Sequence, residues 1–504
     1  MTTFTRKNAW NQGGTFDNPD LLWYAKGVKE MMSRPLNDPT SWWFYAAIHG
    51  QYIVDNDGSG PPPTGYPNWA FIPGPPAVPT TPLPSPSIIS QYWNQCQHAG
   101  WFFPPWHRGY LYALENILRG IIVSHGGPSD WALPYWNYLK KQTNQYQMPP
   151  AFASQTLPDN TPNPLFVNAR YGPNGNGNIY VPIPPVNQNC QQATAYTNEY
   201  GGGVTGFDHF DSSTGRLENN PHNYVHGFVG GASGQIGGLM GDPGLAALDP
   251  IFYLHHSNID RLWAAWNAAS NSNPTDTAWL NGPTASGDRK FYMPKPDGTA
   301  WQYTPEMVNT TSQLNYTYDD ISISAPALVS KNAMRLRKLG VPLQNISKES
   351  QMESKATPEL IGASTASMNL GAAGANAVVK LDASGLQKVK SSLLKAAENE
   401  KPDEVYLQLE GVKGTADANM YTVSVNHQYA GHISLFGLRV ASAKKGHHAG
   451  AGLTIRLDIS SIVDELHLND ELKDSLEVII QPVGSTLIDD QCTIERISVY
   501  KVKK

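Results

Sequence analysis

The sequence predicts a two-domain protein, in which a mainly α and loop-rich N-terminal domain precedes an all-β sandwich. Three observations support this division. Apolar residues recur at helical spacing in several early segments, the composition changes after about residue 325, and apolar and polar residues alternate with period two near the C-terminus. We place the N-terminal domain at 1–325, a linker at 326–376 and the C-terminal domain at 377–504.

Helix signals mark four segments of the N-terminal domain. Apolar residues recur at helical spacing, and Asn, Asp or Pro at the start or a Gly pair at the end marks the boundaries. The segments are NPDLLWYAKGVKEMMSR, DPTSWWFYAAIHGQY, HRGYLYALENILRGIIVSHGG and DPGLAALDPIFYLHHSNIDRLWAAWNAAS. Between them, residues 57–88 are rich in Pro and predict a long surface loop.

The C-terminal domain is predicted from short segments that alternate apolar and polar residues. Turn signals separate them, which is typical of a β-sandwich. The segments are AVVKLDA, EVYLQLEGV, MYTVSVN, GHISLFGLRV, GLTIRLDIS, LEVIIQPVG and CTIERISVYK. Residues 350–376 are rich in Ala, Ser and Gly and predict a flexible linker.

Composition and charge limit the classes of function. The chain has 504 residues, a net charge of −6 and no long basic run, which argues against nucleic acid as a partner. No apolar run is long enough to span a membrane. The N-terminus shows no signal or transit peptide and three distant cysteines make no disulfide framework, so we expect a cytoplasmic protein. The sequence leaves a homo-oligomer open.

Six of the fourteen histidines fall into two groups of three in helical context. The first group is His49, His98 and His107, and the second is His222, His226 and either His255 or His256. A spacing of four residues places the imidazoles of His222 and His226 on one face of a helix, where both can bind a single ion. One histidine among aromatic residues is commonly a packed core residue, but two such trios predict a metal centre.

The donor set favours copper over other metals. The chain has no HExxH motif of a zinc peptidase and no cysteine cluster of a structural zinc site. Six neutral imidazoles suit copper, which binds nitrogen ligands most tightly among the divalent metals. Two copper ions held close together would activate dioxygen and transfer electrons in pairs. A structural or zinc-binding role for the histidines is the competing interpretation.

The segments around these histidines resemble the type-3 copper family of tyrosinases, catechol oxidases and molluscan haemocyanins. Residues 98–115, HAGWFFPPWHRGYLYALE, are similar to the first copper signature of the family, and residues 249–260, DPIFYLHHSNID, to the second. ENNPHNYVHGFVGG resembles the segment between them. Tyr316 and Tyr318 in LNYTYDD resemble a Tyr-x-Tyr element that closes the catalytic core, and Arg6 resembles an arginine that docks against it.

This resemblance implies a four-helix bundle around a dicopper centre. Copper A would be bound by His49, His98 and His107, and copper B by His222, His226 and His256. His256 is preferred to His255 because the family motif places its ligand four residues before an aspartate, here Asp260. Asp260 is then a candidate hydrogen-bond acceptor beside the site. Cys96 matches the cysteine that fungal and molluscan members join to the second ligand, here His98, by a thioether bond.

The same resemblance implies O2-dependent oxidation of small phenols. Glu218 and Asn223 match a pair that holds a water acting as base, which favours a tyrosinase. Gly227 and Pro243 are small residues at positions that control access, and they favour entry of monophenols. A catechol oxidase or an o-aminophenol oxidase is the alternative. A haemocyanin-like oxygen carrier is less well supported, because the sequence contains a single site unit without repeats.

The C-terminal domain resembles, more weakly, the shielding domain of plant-type polyphenol oxidases. In those enzymes the domain lies over the copper site and inserts an apolar side chain. GHISLFGLR is the segment that would do so here, through Leu435 or Phe436. A protease cut in the linker near residue 350 would then open the site. A sandwich that only stabilises or oligomerises the protein is the alternative.

Overall fold

The structure is a computed structural model in which both domains are folded units. It describes residues 3–55, 58, 60–62, 66–74, 77–140, 144–203, 214–283, 290–322, 331–340, 358–371, 373–396, 402–443, 450, 452–484, 486–487 and 491–503. The predicted cleavage region near residue 350 lies outside the described residues.

The N-terminal domain is mainly helical, as the sequence predicts. Its helices are α1 (Pro19–Ser33), α2 (Trp42–His49), α3 (Pro86–Tyr92), α4 (Phe103–Ser124), α5 (Tyr224–Gly230), α6 (Ile251–Ala268) and α7 (Thr277–Leu280). Short strands accompany them: β1 (Phe4–Arg6), β2 (Ala232–Ser233), β3 (Ile236–Gly237), β4 (Phe291–Pro294), β5 (Ala300–Tyr303) and β6 (Tyr316–Tyr318). Helices α2, α4, α5 and α6 carry predicted ligands.

Helix α4 begins one turn earlier than the sequence analysis placed it, at Phe103 instead of His107. Pro104 and Pro105 lie in its first turn, where backbone N–H groups have no acceptor within the helix and proline is tolerated. The helix packs against α1 and α6. One core therefore lies beneath both predicted copper signatures.

The N-terminal strand closes this domain through a buried charge network. Strand β1 pairs in parallel with β6, in the register Arg6 to Tyr318. The Arg6 guanidinium donates to Glu115 at 2.8 Å and to Asp260 at 3.2 Å, and it lies 3.9 Å above the Tyr316 ring. This geometry agrees with the expected docking of Arg6 against the Tyr-x-Tyr element.

Replacement of Arg6 by alanine is expected to lower the free energy of unfolding of the N-terminal domain by about 3 kcal/mol, because it removes a buried cation that two buried carboxylates, Glu115 and Asp260, share with their other partners. All fourteen tryptophans lie between residues 10 and 301, so tryptophan fluorescence during urea unfolding reports on this domain. Lys7→Ala is the matched control, since the half-exposed Lys7–Asp20 pair should contribute less than about 1 kcal/mol. Equal effects of the two variants would contradict the network's role.

The C-terminal domain is an antiparallel β domain. Its strands are β7 (Glu359–Ala363), β8 (Met368–Asn369), β9 (Ala375–Leu381), β10 (Glu404–Val412), β11 (Met420–Val425), β12 (Gln428–Ser434), β13 (Leu453–Asp458), β14 (Ser475–Pro482), β15 (Thr493–Ile494) and β16 (Arg496–Val502). Eight of them form one sheet in the order β12-β11-β14-β9-β7-β16-β10-β13, and β8 pairs with β15.

Two features of this domain differ from the sequence analysis. Helices α9 (Ala383–Ala396), α10 (Leu438–Ser442) and α11 (Ser460–Leu468) lie among its strands, so it is not entirely β. Strands β7 and β8 fall within the predicted linker 326–376, so the ordered sheet begins before residue 377. The small residues of this region suggested flexibility, but Ile361 is buried and β7 pairs with β16 and β9.

A further helix, α8 (Lys331–Lys338), also lies in the predicted linker. Arg335 donates two hydrogen bonds to the Asp464 carboxylate of α11, both 2.8 Å long. Leu336 and Leu339 belong to the apolar core of the C-terminal domain. Helix α8 is therefore packed as part of the C-terminal domain, although it lies before residue 377, the predicted start of that domain.

The two domains meet over the predicted copper ligands. Met420 and Phe436 belong to the C-terminal domain but are buried in the apolar core of the N-terminal domain. The Tyr224 hydroxyl of α5 donates to the backbone oxygen of His432 in β12. Among the described residues, no helix combines the length and the apolar character needed to cross a membrane.

Candidate metal centre

The predicted histidines come together from separate elements of the N-terminal domain. His49 ends α2, His107 lies in α4, His226 in α5 and His256 in α6. His98 lies in the loop before α4, and His222 in a π-helical turn that leads into α5. The potential ligand atoms form two groups, each with all its atoms within 4.8 Å of one another: His49, Cys96, His98 and His107, and His222, His226, His255 and His256.

Hydrogen bonds at Nδ1 orient four of the imidazoles. In three of them Nδ1 donates to a backbone carbonyl: His49 to Pro243, His107 to Phe103 and His226 to Met240. In His222, Nδ1 donates to the side-chain oxygen Oδ1 of Asn223. All four donor–acceptor distances are 2.7–2.8 Å. Because Nδ1 carries the proton, the lone pair of each ring is at Nε2. Among the described residues, Nε2 of His49 and Nε2 of His222 have no hydrogen-bond partner although both are buried. Such orphaned acceptors fit metal ligands held by their surroundings.

The surroundings keep these histidines neutral. Burial lowers the pKa of His49 to about 4. Burial and then the neighbouring histidines lower the pKa values of His107, His222, His226 and His256. A neutral imidazole can bind a metal ion, whereas a protonated one cannot. The residues present therefore fit two copper ions bound by histidine nitrogen.

The contacts of His256 favour it over His255 as the sixth ligand. Nε2 of His256 lies 3.3 Å from Nε2 of His226. Its ring stacks on His107 of the other group, with centroids 4.4 Å apart and planes 13° apart. His255 is buried and contacts the rings of His222 and Tyr138. His256 thus contacts predicted ligands of both groups.

Cys96 lies within reach of two ligands of the first group. Its Sγ is 3.6 Å from Nε2 of His98 and 3.2 Å from Nε2 of His107. Burial, and then the nearby Glu218 carboxylate, raise the pKa of the thiol. The predicted Cys96–His98 thioether joins two side chains that are already neighbours, and it stays a prediction.

Mass spectrometry of the copper-loaded protein tests the thioether. We expect the peptide containing Cys96 and His98 to carry two hydrogen atoms fewer than the unjoined sequence, because a C–S bond replaces one S–H and one C–H bond while O2 takes up the two electrons and two protons. The same peptide from protein expressed without copper serves as the control. An unjoined mass for the copper-loaded peptide would refute the bond.

Glu218 and Asn223 lie beside the second group but have separate partners. Both carboxylate oxygens of Glu218 accept from the backbone N–H of Ala99, at 2.7 and 2.9 Å. Burial raises the pKa of Glu218 to about 8, against the lowering effect of that hydrogen bond. Oδ1 of Asn223 instead accepts from Nδ1 of His222. Asn223 thus orients a ligand, and shared water binding by the pair stays a prediction.

Asp260 does not accept a hydrogen bond from a ligand within the described part of the chain. Its carboxylate accepts from Arg6, Arg108, Tyr316 and Tyr318. Nδ1 of His256 has no partner among the described residues. The expectation that Asp260 stands beside the ligands as their acceptor was therefore wrong, because its side chain is directed into the network that binds β1 and β6.

One of the two predicted access positions, Gly227, is covered by the C-terminal domain. A Cβ atom on Gly227 would lie 2.4 Å from Sδ of Met420, so the space that glycine leaves is filled by this methionine. Pro243 contributes its carbonyl to His49. In this arrangement Gly227 does not leave the entrance wide, and the sequence offered no signal for Met420.

Phe436, and not Leu435, reaches the metal ligands. Its ring stacks on His226, with centroids 4.2 Å apart and planes 24° apart, and lies 5.6 Å from the His98 ring and 5.7 Å from the His222 ring. Leu435 points into the core of the C-terminal domain. Adjacent residues point to different sides of the chain here, so only one can enter the site.

The fold and the site define a class of protein: a helical domain whose buried, neutral imidazoles can hold two copper ions. The common central domain of tyrosinase matches residues 39–269, and a domain of unknown function matches residues 357–502. The chain is 32% identical to tyrosinase HcTyr1 of Hahella sp. (strain CCB-MM4), over 98% of this chain and 99% of the relative. The chain belongs to the tyrosinase and polyphenol oxidase family of copper oxidoreductases, which act on phenols.

Other relatives share both domains. The chain is 26% identical to a chloroplastic polyphenol oxidase of Malus domestica, over 91% of this chain and 72% of the relative. The fold is similar to that of latent apple tyrosinase, with a TM-score of 0.58 at 20% identity over 100% of this chain and 98% of that one. It is also similar to a latent aurone synthase, with a TM-score of 0.62 at 19% identity over 100% and 90%. These likenesses confirm the predicted fold class.

Proposed function

We propose that the chain is a tyrosinase in the strict sense: it hydroxylates monophenols at the ortho position and oxidises o-diphenols to o-quinones. Two copper ions and O2 as co-substrate belong to this proposal. The observation that carries it is the buried carboxylate of Glu218, held against the backbone of Ala99 directly after His98. A monophenol must lose its proton to react, and burial raises the pKa of Glu218, which makes its ionised form a stronger proton acceptor than an ordinary carboxylate.

The position of Phe436 indicates where a substrate ring would lie. Its ring stacks on His226 and touches the edges of two further ligands. A phenol that replaced it would place its ring against predicted ligands of both groups. Copper bound there would supply activation of O2 and transfer of electron pairs. The protein's own part is to fix the imidazoles through their Nδ1 bonds, exclude water with apolar rings and receive the phenol proton at Glu218.

Initial rates on a matched phenol and catechol, such as 4-methylphenol and 4-methylcatechol, test this proposal with the copper-loaded protein. We expect both to be consumed with uptake of O2. Oxidation of the catechol alone would instead establish a catechol oxidase, and preference for an o-aminophenol would establish the corresponding oxidase. Reversible O2 binding without turnover would indicate an oxygen carrier.

We also propose that the docked C-terminal domain keeps the enzyme latent. Phe436 and Met420 fill the apolar space over the ligands, which a substrate would need. A cut near residue 350 would leave α8 attached to the N-terminal part and still packed in the C-terminal domain through Arg335 and Asp464. Release of the domain is therefore expected to need a cut before α8, between residues 322 and 331.

A further inference from the structure

The loop Asp242–Gly244 lies between the end of α2 and the C-terminal domain. The carbonyl of Pro243 accepts from Nδ1 of His49 at 2.8 Å and so sets the direction of this ligand. A Cβ atom on Gly50 would lie 2.8 Å from the same carbonyl oxygen, which shows that the loop packs directly against the end of α2. A displacement of the loop would therefore be transmitted to His49.

The side chain of Asp242 fixes this loop. Oδ1 accepts from the hydroxyl of Tyr52 at 2.6 Å and from the backbone N–H of Gly244 at 2.9 Å. The Tyr52 ring lies against the loop, since a Cβ atom on Gly244 would be 2.2 Å from it. One carboxylate oxygen thus joins the loop to the segment that follows α2.

The other oxygen of Asp242 faces the C-terminal domain. Oδ2 lies 3.8 Å from Nε of Arg439, three residues after Phe436. Asp417 holds this arginine in place, because its carboxylate accepts from Nε at 3.2 Å and from the backbone N–H of Arg439 at 3.1 Å. Asp242, Asp417 and Arg439 are all largely buried at the junction of the domains. Asp242 therefore contacts both the loop that orients His49 and the segment that carries Phe436.

We propose that Asp242 is a positioning residue that holds the copper A ligand His49 through Pro243 and, by its contact with Arg439, couples this support to docking of the C-terminal domain. The inference rests on the proposed dicopper, latent enzyme. Each carboxylate oxygen has one of these two roles: Oδ1 fixes the loop, and Oδ2 faces Arg439. An amide at position 242 keeps the acceptor for Tyr52 and Gly244 but loses the charge that attracts Arg439, whereas alanine loses both.

Transfer of copper from the loaded full-length protein to a chelator tests the support of His49. In Asp242→Ala we expect one of the two ions to be bound about 10-fold more weakly, the lower end of the effect of losing a ligand's partner, because the Pro243 carbonyl remains but is no longer held in place; the other ion should be unchanged. Asp242→Asn should retain both ions as the wild type does. Tyr52→Phe, which removes only one donor to Oδ1, should weaken the same ion to a smaller extent and guards against misfolding of the alanine variant.

Asp417→Asn is the matched control, because among the described residues the Asp417 carboxylate accepts hydrogen bonds from Arg439 and not from the loop, so copper retention should be unchanged. Wild-type retention in both Asp242→Ala and Tyr52→Phe would overturn the positioning role. Weak binding in Asp242→Asn equal to that in Asp242→Ala would overturn the separation of tasks. If the wild type itself bound no copper, the proposed function would fail and not this inference alone.

Oxidation of a catechol by the uncut chain tests the coupling to docking. Asp242→Asn and Arg439→Gln should each raise the rate several-fold, in the direction of the Phe436→Ala variant, because each removes one side of the same contact. Wild-type rates in both, with an active Phe436→Ala variant, would overturn the coupling. If Phe436→Ala also oxidised the catechol at the wild-type rate, the latency proposal would be at fault. Copper retention would then still decide the role of Asp242.

Discussion

Replacement of Phe436 by alanine is expected to raise the rate of catechol oxidation by the full-length chain by at least about 10-fold, which corresponds to a site that is closed in nine molecules of ten or more. The ring of Phe436 stacks on His226 at 4.2 Å and occupies the apolar space that a substrate ring requires. Alanine leaves this space open without removing a copper ligand. Initial rates with copper-loaded protein measure the effect.

Phe71→Ala is the matched control for this variant. It makes the same chemical change at a side chain that is 85% exposed, so the rate should not change. Copper content must be equal in the compared proteins. A Phe436→Ala variant with the copper content and the rate of the wild type would show that Phe436 does not limit access to the site.

Replacement of Glu218 by glutamine is expected to lower the rate on monophenols about 100-fold, the scale of general base catalysis, while the rate on catechols falls much less. Glutamine keeps a side-chain oxygen that can accept from Ala99, but it cannot accept a proton. The measurement is the ratio of the initial rates on a matched phenol and catechol. The Phe436→Ala background makes both rates large enough to compare.

Glu199→Gln provides the corresponding control, because Glu199 forms a partly exposed ion pair with Arg216 and accepts no hydrogen bond from a predicted ligand among the described residues, so the ratio should be unchanged. Equal losses of both activities in Glu218→Gln would indicate a structural effect of the residue. An unchanged ratio would remove Glu218 as the proton acceptor and with it the main support for monophenol hydroxylation.

The sequence was sufficient to predict the helical domain and the histidines that come together in it. His222 and His226 stand four residues apart, and the helical segment that carries His256 shows the apolar spacing of α6. Such local patterns survive folding because neighbouring residues of a helix keep a fixed geometry. The same holds for the alternating strands β10 to β16.

Contacts between distant segments could not be predicted in this way. The acceptors for three ligands are the backbone carbonyls of Phe103, Met240 and Pro243, and any residue type has such a carbonyl. Met420 enters the space at Gly227 only because the second domain docks there. The composition near residue 360 suggested a linker, but pairing with distant strands makes it part of the sheet.

The copper content of the purified, loaded chain tests the central claim most directly. The account predicts about two copper ions per chain for the wild type, because two groups of neutral imidazoles are present, and about one for His49→Ala or His226→Ala, since each removes one ligand of one group. Two zinc ions with no copper under metal competition, or copper binding unaffected by both substitutions, would contradict it.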